Sequence, residues 1–213
     1  MSAVESGANG GFSMRAYVFV DSMQPEFAAY VGATVQGSPP VAGMAELWIE
    51  VAPANEAFRL MDVALKAANV QPATQYIERE FGLLELHSWE QSEVLAAAEA
   101  IFATTGLTAH DRVLPRLASS QVVTNVDPFQ AQLINKMRRG SLCVPGETLL
   151  IMEVEPAAYI GLAANEAEKA ASIAQVYVTN VGRFGRYYAS GSESEIEAAR
   201  LSAIAAIEAS ARS

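Results

Sequence analysis

One cysteine, Cys143, and two histidines, His87 and His110, are all that this chain of 213 residues offers as soft or imidazole ligands. A lone cysteine forms no internal disulfide, and no Cys/His/Asp spacing matches a zinc site, an activated nucleophile or a redox pair. Positive charge is also scarce. Fourteen Lys and Arg stand against 24 Asp and Glu, a formal charge of −10, which leaves no electrostatic basis for holding a phosphate backbone. Nucleic acid is therefore not expected as a partner. No apolar run approaches the ~20 residues of a membrane span, so no membrane is expected either. The opening "MSAVESGANGGFS", residues 1–13, lacks the basic start and apolar run of a secretory leader and reads as a flexible tail. No Gly-rich phosphate loop follows a strand: "GRFG" is too short for a dinucleotide fingerprint and precedes a strand. These absences point to a soluble, cytosolic protein with no metal or cofactor, and 51% hydrophobic residues are ample for a core.

What the chain does contain is itself, twice. Offset by 103 residues, Pro25 falls on Pro128, Gly37 on Gly140, Gly43 on Gly146, Glu50-Val51 on Glu153-Val154 and Pro53-Ala54 on Pro156-Ala157. Lys66-Ala67-Ala68 meets Lys169-Ala170-Ala171, and Phe81-Gly82 meets Phe184-Gly185, without a gap. The matches include the Gly and Pro residues that fix backbone geometry, so the chain is a tandem duplication. The expected units are 14–110 and 114–213.

Each copy opens with a strand, "RAYVFVD" or "SQVVTNV", followed by a Pro-led helix, "PEFAAYVGATV" or "PFQAQLINKMRR". A Gly-bounded loop leads to an apolar strand, "AELWIEV" or "TLLIMEV", ended by Pro. The next helix, "ANEAFRLMDVALKAANV", sets Phe58, Met61, Leu65 and Ala68 on one face, which is expected to be core. "TQYIE" and "GLLELHS" read as a strand pair, and a last helix closes each copy. The fold class is α+β: two tandem units, each a mostly antiparallel sheet with helices packed on one side.

Between that strand pair lies "YIEREFG", with three consecutive charges ahead of a glycine. The residues alone allow a solvated hairpin tip or a lined opening. Glu78 and Glu80 are paired carboxylates of the kind used in acid/base chemistry, but Arg79 between them, at a hairpin tip, argues against a dry pocket. His87, near a strand end, reads as structural or surface. No constellation of an enzyme emerges. Lys66 and Lys169 end equivalent helices, where a cation complements the helix dipole.

The stretches "YVFVDSMQPEFAAYVGATVQGSPPVAGMAELWIEVAP", "DVALKAANV", "YIEREFGLLELH", "QLINKMRRG" and "YIGLAANEAEKAA…GRFGRYY" together resemble the tandem-domain, circularly permuted shell proteins of bacterial microcompartments, most closely the trimeric, gated carboxysome type. The resemblance runs from Arg15 onward. It implies that three chains form a pseudohexameric disc, a structural tile that packs with hexameric shell proteins, is able to stack in pairs and passes small metabolites through a central pore. It further implies that the pore is built by Glu78, Arg79, Glu80, Phe81 and Gly82 of copy one and Val181, Gly182, Arg183, Phe184 and Gly185 of copy two. Glu78 and Arg79 match the pair that swings in the gated relatives. Val181 and Gly182 are too small to block an opening, and Glu80 and Arg183 are oppositely charged at equivalent sites and could pair between neighbouring domains. Lys66 and Lys169 would lie at the tile edge. Some related shell proteins hold an iron–sulfur cluster at the pore, but Cys143 is remote from "VGRFG" and none is expected. A different class, a trimeric small-molecule-binding or signalling protein of similar build with ligands at subunit clefts, also fits the composition.

Overall fold

The structure, a computed structural model, describes residues 11–212. The tail expected over residues 1–13 lies outside the described residues up to residue 10. Copy one contains β1 (Ser13–Val20), α1 (Pro25–Thr34), β2 (Ala45–Ala52), α2 (Glu56–Ala67), β3 (Gln71–Glu78), β4 (Phe81–Ser88) and α3 (Gln91–Thr105). After a short 3₁₀ turn at Ala109–Asp111, copy two repeats the order with β5 (Arg116–Val123), α4 (Pro128–Met137), β6 (Thr148–Glu155), α5 (Tyr159–Ala170), β7 (Ala174–Thr179), β8 (Gly185–Gly191) and α6 (Glu193–Ser210). Each copy folds its strands into one four-stranded antiparallel sheet, ordered β1-β2-β4-β3 and β5-β6-β8-β7. Bulges recur at matching places, between Met14 and Ala16 and between Leu117 and Ser119, as expected of one ancestral unit.

The repeat is not gapless to its end. Core residues Val94, Ala97 and Ile101 of α3 correspond to Ile196, Ala199 and Ala203 of α6, an offset one residue shorter than in the sheets. The exposed Trp89 is the extra residue between β4 and α3.

Alternation along β2 divides its side chains between two environments. Leu47, Ile49 and Val51 join Leu60, Ala64, Val94 and Ile101 in a core beneath α2 and α3. Trp48, on the other face, joins Val18, Val20, Met23 and Phe27 in a second core that also holds Ile160, Ala163, Ala164 and Ala167 of α5. Helix α5 is thus covered twice, by its own sheet and by copy one. Its counterpart α2 is covered once. The expectation that Phe58, Met61, Leu65 and Ala68 form its core face is therefore corrected: the core residues are Ala57, Leu60, Met61 and Ala64, while Phe58 and Leu65 are exposed. The helix carries two neighbouring apolar stripes, and periodicity does not say which one the sheet takes.

Copy one also buries charge. Glu46, Glu85 and His87 are wholly inaccessible, which places His87 in the interior and not at the surface. Glu85 accepts a hydrogen bond from the Ala73 N–H at 2.7 Å, and its other oxygen lies 3.0 Å from His87 Nδ1. Neither oxygen of Glu46, nor His87 Nε2, has a well-formed hydrogen bond. Burial pushes both carboxyls well above the usual range, and the charge of Glu85 adds to the effect on Glu46; the Ala73 and Thr74 N–H groups draw Glu85 part of the way back. Burial pushes His87 down to about 4. Both shifts favour the uncharged forms, a neutral imidazole and a proton retained on the carboxyl pair.

The linkage has two limbs. Carboxyls raised in the folded state lend stability that is fully present below the unfolded value of about 4.3 and is lost as pH rises through the folded value. His87, depressed, lends stability above about 6.5 that is lost as pH falls through its folded value. E46Q removes the alkaline penalty and offers Glu85 an amide donor. It is expected to raise the melting temperature at pH 8 by roughly 2–8 °C and to flatten the decline above neutral pH. A thermal-unfolding series from pH 5 to 9 checks this, and a wild-type-like alkaline slope in the variant would count against the shared proton.

Candidate pore hairpin, seam and rim

The "YIEREFG" stretch is a two-residue hairpin. Glu78 pairs with Phe81 in the β3–β4 ladder, leaving Arg79 and Glu80 as the turn. The Arg79 side chain is 92% exposed, with Nε 4.0 Å from the Glu78 carboxylate. A contact at that distance between solvent-accessible groups contributes little energy.

The base of the hairpin is fixed instead. The guanidinium of Arg15, at the β1 bulge, lies 3.6 Å from the centroid of the Phe81 ring, and its Nε donates to Glu50 at 2.7 Å. Burial raises the Glu50 pKa, and Arg15 and the Ala158 N–H offset part of that rise. The other Glu50 oxygen accepts from the Ala158 N–H in copy two at 3.1 Å. Gly82 is buried: a Cβ there would sit 2.0 Å from the Ala54 carbonyl oxygen and 2.8 Å from Ala57 Cβ. Gly185 repeats this, 2.2 Å from the Ala157 carbonyl oxygen. These two glycines let the strand pass over a helix start, and their place is beneath the hairpin, not at its tip.

Copy two differs at the tip. Strand β7 stops at Thr179 and β8 starts at Gly185, giving a five-residue loop in which Gly182 has φ +96°, a conformation L side chains rarely adopt. Arg183 donates to Glu155 at 2.8 Å and lies 5.2 Å from the Phe184 ring centroid. Glu155, also bonded to Arg116 at 2.7 Å, is held below the usual carboxylate range by Arg183 first and Arg116 next. Within the chain Arg183 thus has a partner in its own copy. A cavity of about 260 Å³ opens beside this loop between the copies, lined by Tyr30, Trp48, Tyr76, Arg139 and Val181 among others.

Lys66 and Lys169 occupy the last turns of α2 and α5. Strand β3 leaves the α2 end and runs seven steps of about 3.3 Å, so the hairpin tip stands roughly 23 Å from the lysine end. Lys66 is 74% exposed and, among the described residues, pairs with Asp62 alone, one turn back. Lys169 bonds Glu166 at 2.7 Å and Asp21 of copy one at 3.1 Å. Burial pulls its pKa down, but Glu166 and Asp21 more than offset this and leave it raised.

The seam between the copies is the feature that sequence reasoning missed. Phe27 of α1 packs where Gly161 of α5 leaves room, 3.5 Å from a Cβ built there. The Glu168 carboxylate accepts from the N–H groups of Glu26 and Phe27, each at 2.8 Å, and so caps α1 from the other copy. Asn165 accepts from the Gln24 N–H at 2.8 Å, and Glu26 accepts from the Gln175 N–H at 3.0 Å. The sequence signal was present: α1 lacks a capping side chain at Gln24, whereas α4 has one in Asp127. Among the described residues, no group of three or more His, Cys, Asp or Glu side chains is arranged to hold a metal ion, and no helix is long and apolar enough to cross a membrane.

Comparison with known proteins agrees with this geometry. A family model described as the CsoS1D N-terminal domain matches residues 14–111. The chain is 48% identical over 198 residues to the carboxysome shell protein CcmP of Synechococcus elongatus, covering 93% of each. It is 43% identical over 189 residues to the carboxysome shell protein CsoS1D of Hydrogenovibrio crunogenus, covering 88% of this chain and 92% of the relative. Among solved structures, the fused permuted hexameric shell protein MSM0275 from the RMM microcompartment superposes with a TM-score of 0.91 at 39% identity, covering 93% of this chain and 98% of that one. The double ringed trimeric shell protein MSM0271 from the same compartment superposes at 0.90 and 39% identity, covering 93% and 97%. Likeness of that depth over nearly the full length of both partners leaves one conclusion: the chain belongs to the tandem-domain family of bacterial microcompartment shell proteins that includes the carboxysome shell proteins.

Proposed function

We propose that three chains close head to tail into a pseudohexagonal tile of a carboxysome-type shell in the cytoplasm, with the Glu78–Arg79 hairpins meeting at its centre and the lysine-bearing helix ends on its rim. The observation that carries this reading is the pairing of one filled seam with two open halves. Copy one's α1 and β1 cover α5, whereas the equivalent faces of α2 and of α4 with β5 are bare: Phe58 and Leu65 on one side, Phe129, Leu133, Met137, Val122 and Val123 on the other. A body with complementary unlike faces at its two ends associates head to tail. If the second seam turns the chain as the first turns the domain, six domains and hence three chains complete the ring. The relative described as a double ringed trimer supports this count and makes face-to-face stacking of two tiles the natural further arrangement. In native mass measurement the assembly is expected at about 68 kDa, three times 22.7 kDa. A monomer at micromolar concentration would overturn the tile.

The gate reading rests on the hairpin's two unequal parts. Its base is pinned by Arg15, Glu50 and Gly82, and its tip carries one long acid and one long base with a weak mutual contact. Three such tips, alternating with loops that offer Val181 and Gly182, can pair across an axis and block it or swing back and admit metabolites. Each pair contributes about 1 kcal/mol or less, enough to bias a two-state loop without locking it. E78A/R79A is therefore expected to leave assembly mass and melting temperature unchanged while every pore in its crystal structure is open. A pore still occluded by the same loop, or parental side chains far from the axis, would remove the assignment.

On the rim, K66A removes only an exposed pair on its own helix and is expected to alter chain stability by less than about 0.5 kcal/mol. K169A also breaks a contact across the filled seam and is expected to cost somewhat more. The combined variant should keep its native mass but lose extended sheets in electron microscopy, since ammonium groups reaching a neighbouring tile would be gone. Unchanged sheets would leave both lysines as helix-end charges alone.

A further inference from the structure

Applying the 103-residue repeat to the filled seam identifies what each open face must meet. Phe27 corresponds to Gln130, and Gly161 to Phe58, so the large and small partners change sides. Glu168 corresponds to Leu65 and Glu26 to Phe129, so a carboxylate capping a helix is replaced by two apolar side chains. The backbone agrees with the exchange. Helix α4 needs no cap from across a seam, because Asp127 already accepts from the Phe129 N–H at 2.8 Å. Gln175, whose N–H holds Glu26, corresponds to Pro72, which has no N–H to give.

We propose that Leu65 and Phe58 of one chain pair with Phe129 and Gln130 of a second copy, and that this inverted code keeps the open faces from taking the partners of the filled seam. The inference rests on the ring reading above and adds the identity of its contacts. A like-with-like seam fails on each count. Helix α1 brought onto α2 sets Phe27 against Phe58, where the filled seam has glycine, and brings Glu26 to Leu65 and Pro72 with no donor for its carboxylate. Helix α4 brought onto α5 sets Phe129 on the Glu168 carboxylate and leaves Gly161 without the ring that fills its space. Removing a charge from water without a partner costs more than the apolar contact returns. The two wrong seams are thus excluded by unpaired charge and misfit volume, and the two right ones remain.

The test is a cross-link that reads pairing and order together. L65C/F129C, treated with a short bis-maleimide, is expected to give a band three chains in mass on a denaturing gel, with a 65-to-129 linked peptide in its digest. L65C alone and F129C alone should give none, and the parent none, since Cys143 is buried. A native trimer that yields no 65-to-129 link, or in which L65C alone links to itself, overturns the pairing while leaving the ring in place. A native monomer overturns the ring and the pairing with it. F129E provides an independent reading without cross-linker. Its site is 78% exposed in the single chain, so folding should be retained by circular dichroism while the dissociation constant of the assembly rises roughly 100-fold or more. F129L should stay assembled. An F129E assembly as tight as the parent would overturn the proposal.

Discussion

The contact on which the rest of the molecule depends is the seating of α1 on α5: Phe27 in the space left by Gly161, with the Glu168 carboxylate closing the exposed N–H groups of Glu26 and Phe27. Burying one phenylalanine contributes roughly 1.5–3 kcal/mol, and a charge-assisted cap adds to it. The larger effect is geometric. The seam sets the turn from one copy to the next, so it fixes which faces are left for another chain. A repeat whose copies were joined only by their linker would have two sheets and no disc.

Duplication lets equivalent positions carry different jobs. In a ring of six identical domains every seam and every pore loop must be the same. Here copy one has a tight hairpin with an acid and a base at its tip, and copy two a wider loop whose Arg183 is tied down to Glu155. The chain Phe81, Arg15, Glu50, Ala158 runs from the hairpin base into the seam, so the base of the hairpin is braced by the same interface that orients the copies.

The divergence reaches the interior as well. Where copy one buries Glu46, Glu85 and His87, copy two has Leu149, Tyr188 and Ser190. Both sheets fold in the same order, so the backbone topology does not require the charges. Burial pushes the acid pair toward its neutral form, a desolvation cost that the uncharged side chains of copy two avoid.

Much of this was legible in one dimension. Local patterning determined the elements, the duplicated order and the hairpin around Arg79 and Glu80, because strand alternation and Gly and Pro placement act over a few residues. Composition and the missing Cys/His spacings turned the argument away from an enzyme. Tertiary structure decided the rest. Phe58 and Leu65 read as core because an apolar stripe looks the same whether it meets its own sheet or another chain, and only the position of copy one separates the two. Gly82 and Gly185 read as lining an opening, yet their need is the close approach of a helix start from thirty residues earlier in the chain. Arg15 gave no sign of bracing Phe81, since a bulge is invisible to alternation. Glu46 gave no sign of being buried, since a sequence carries a residue's charge but not the solvent that will be taken from it.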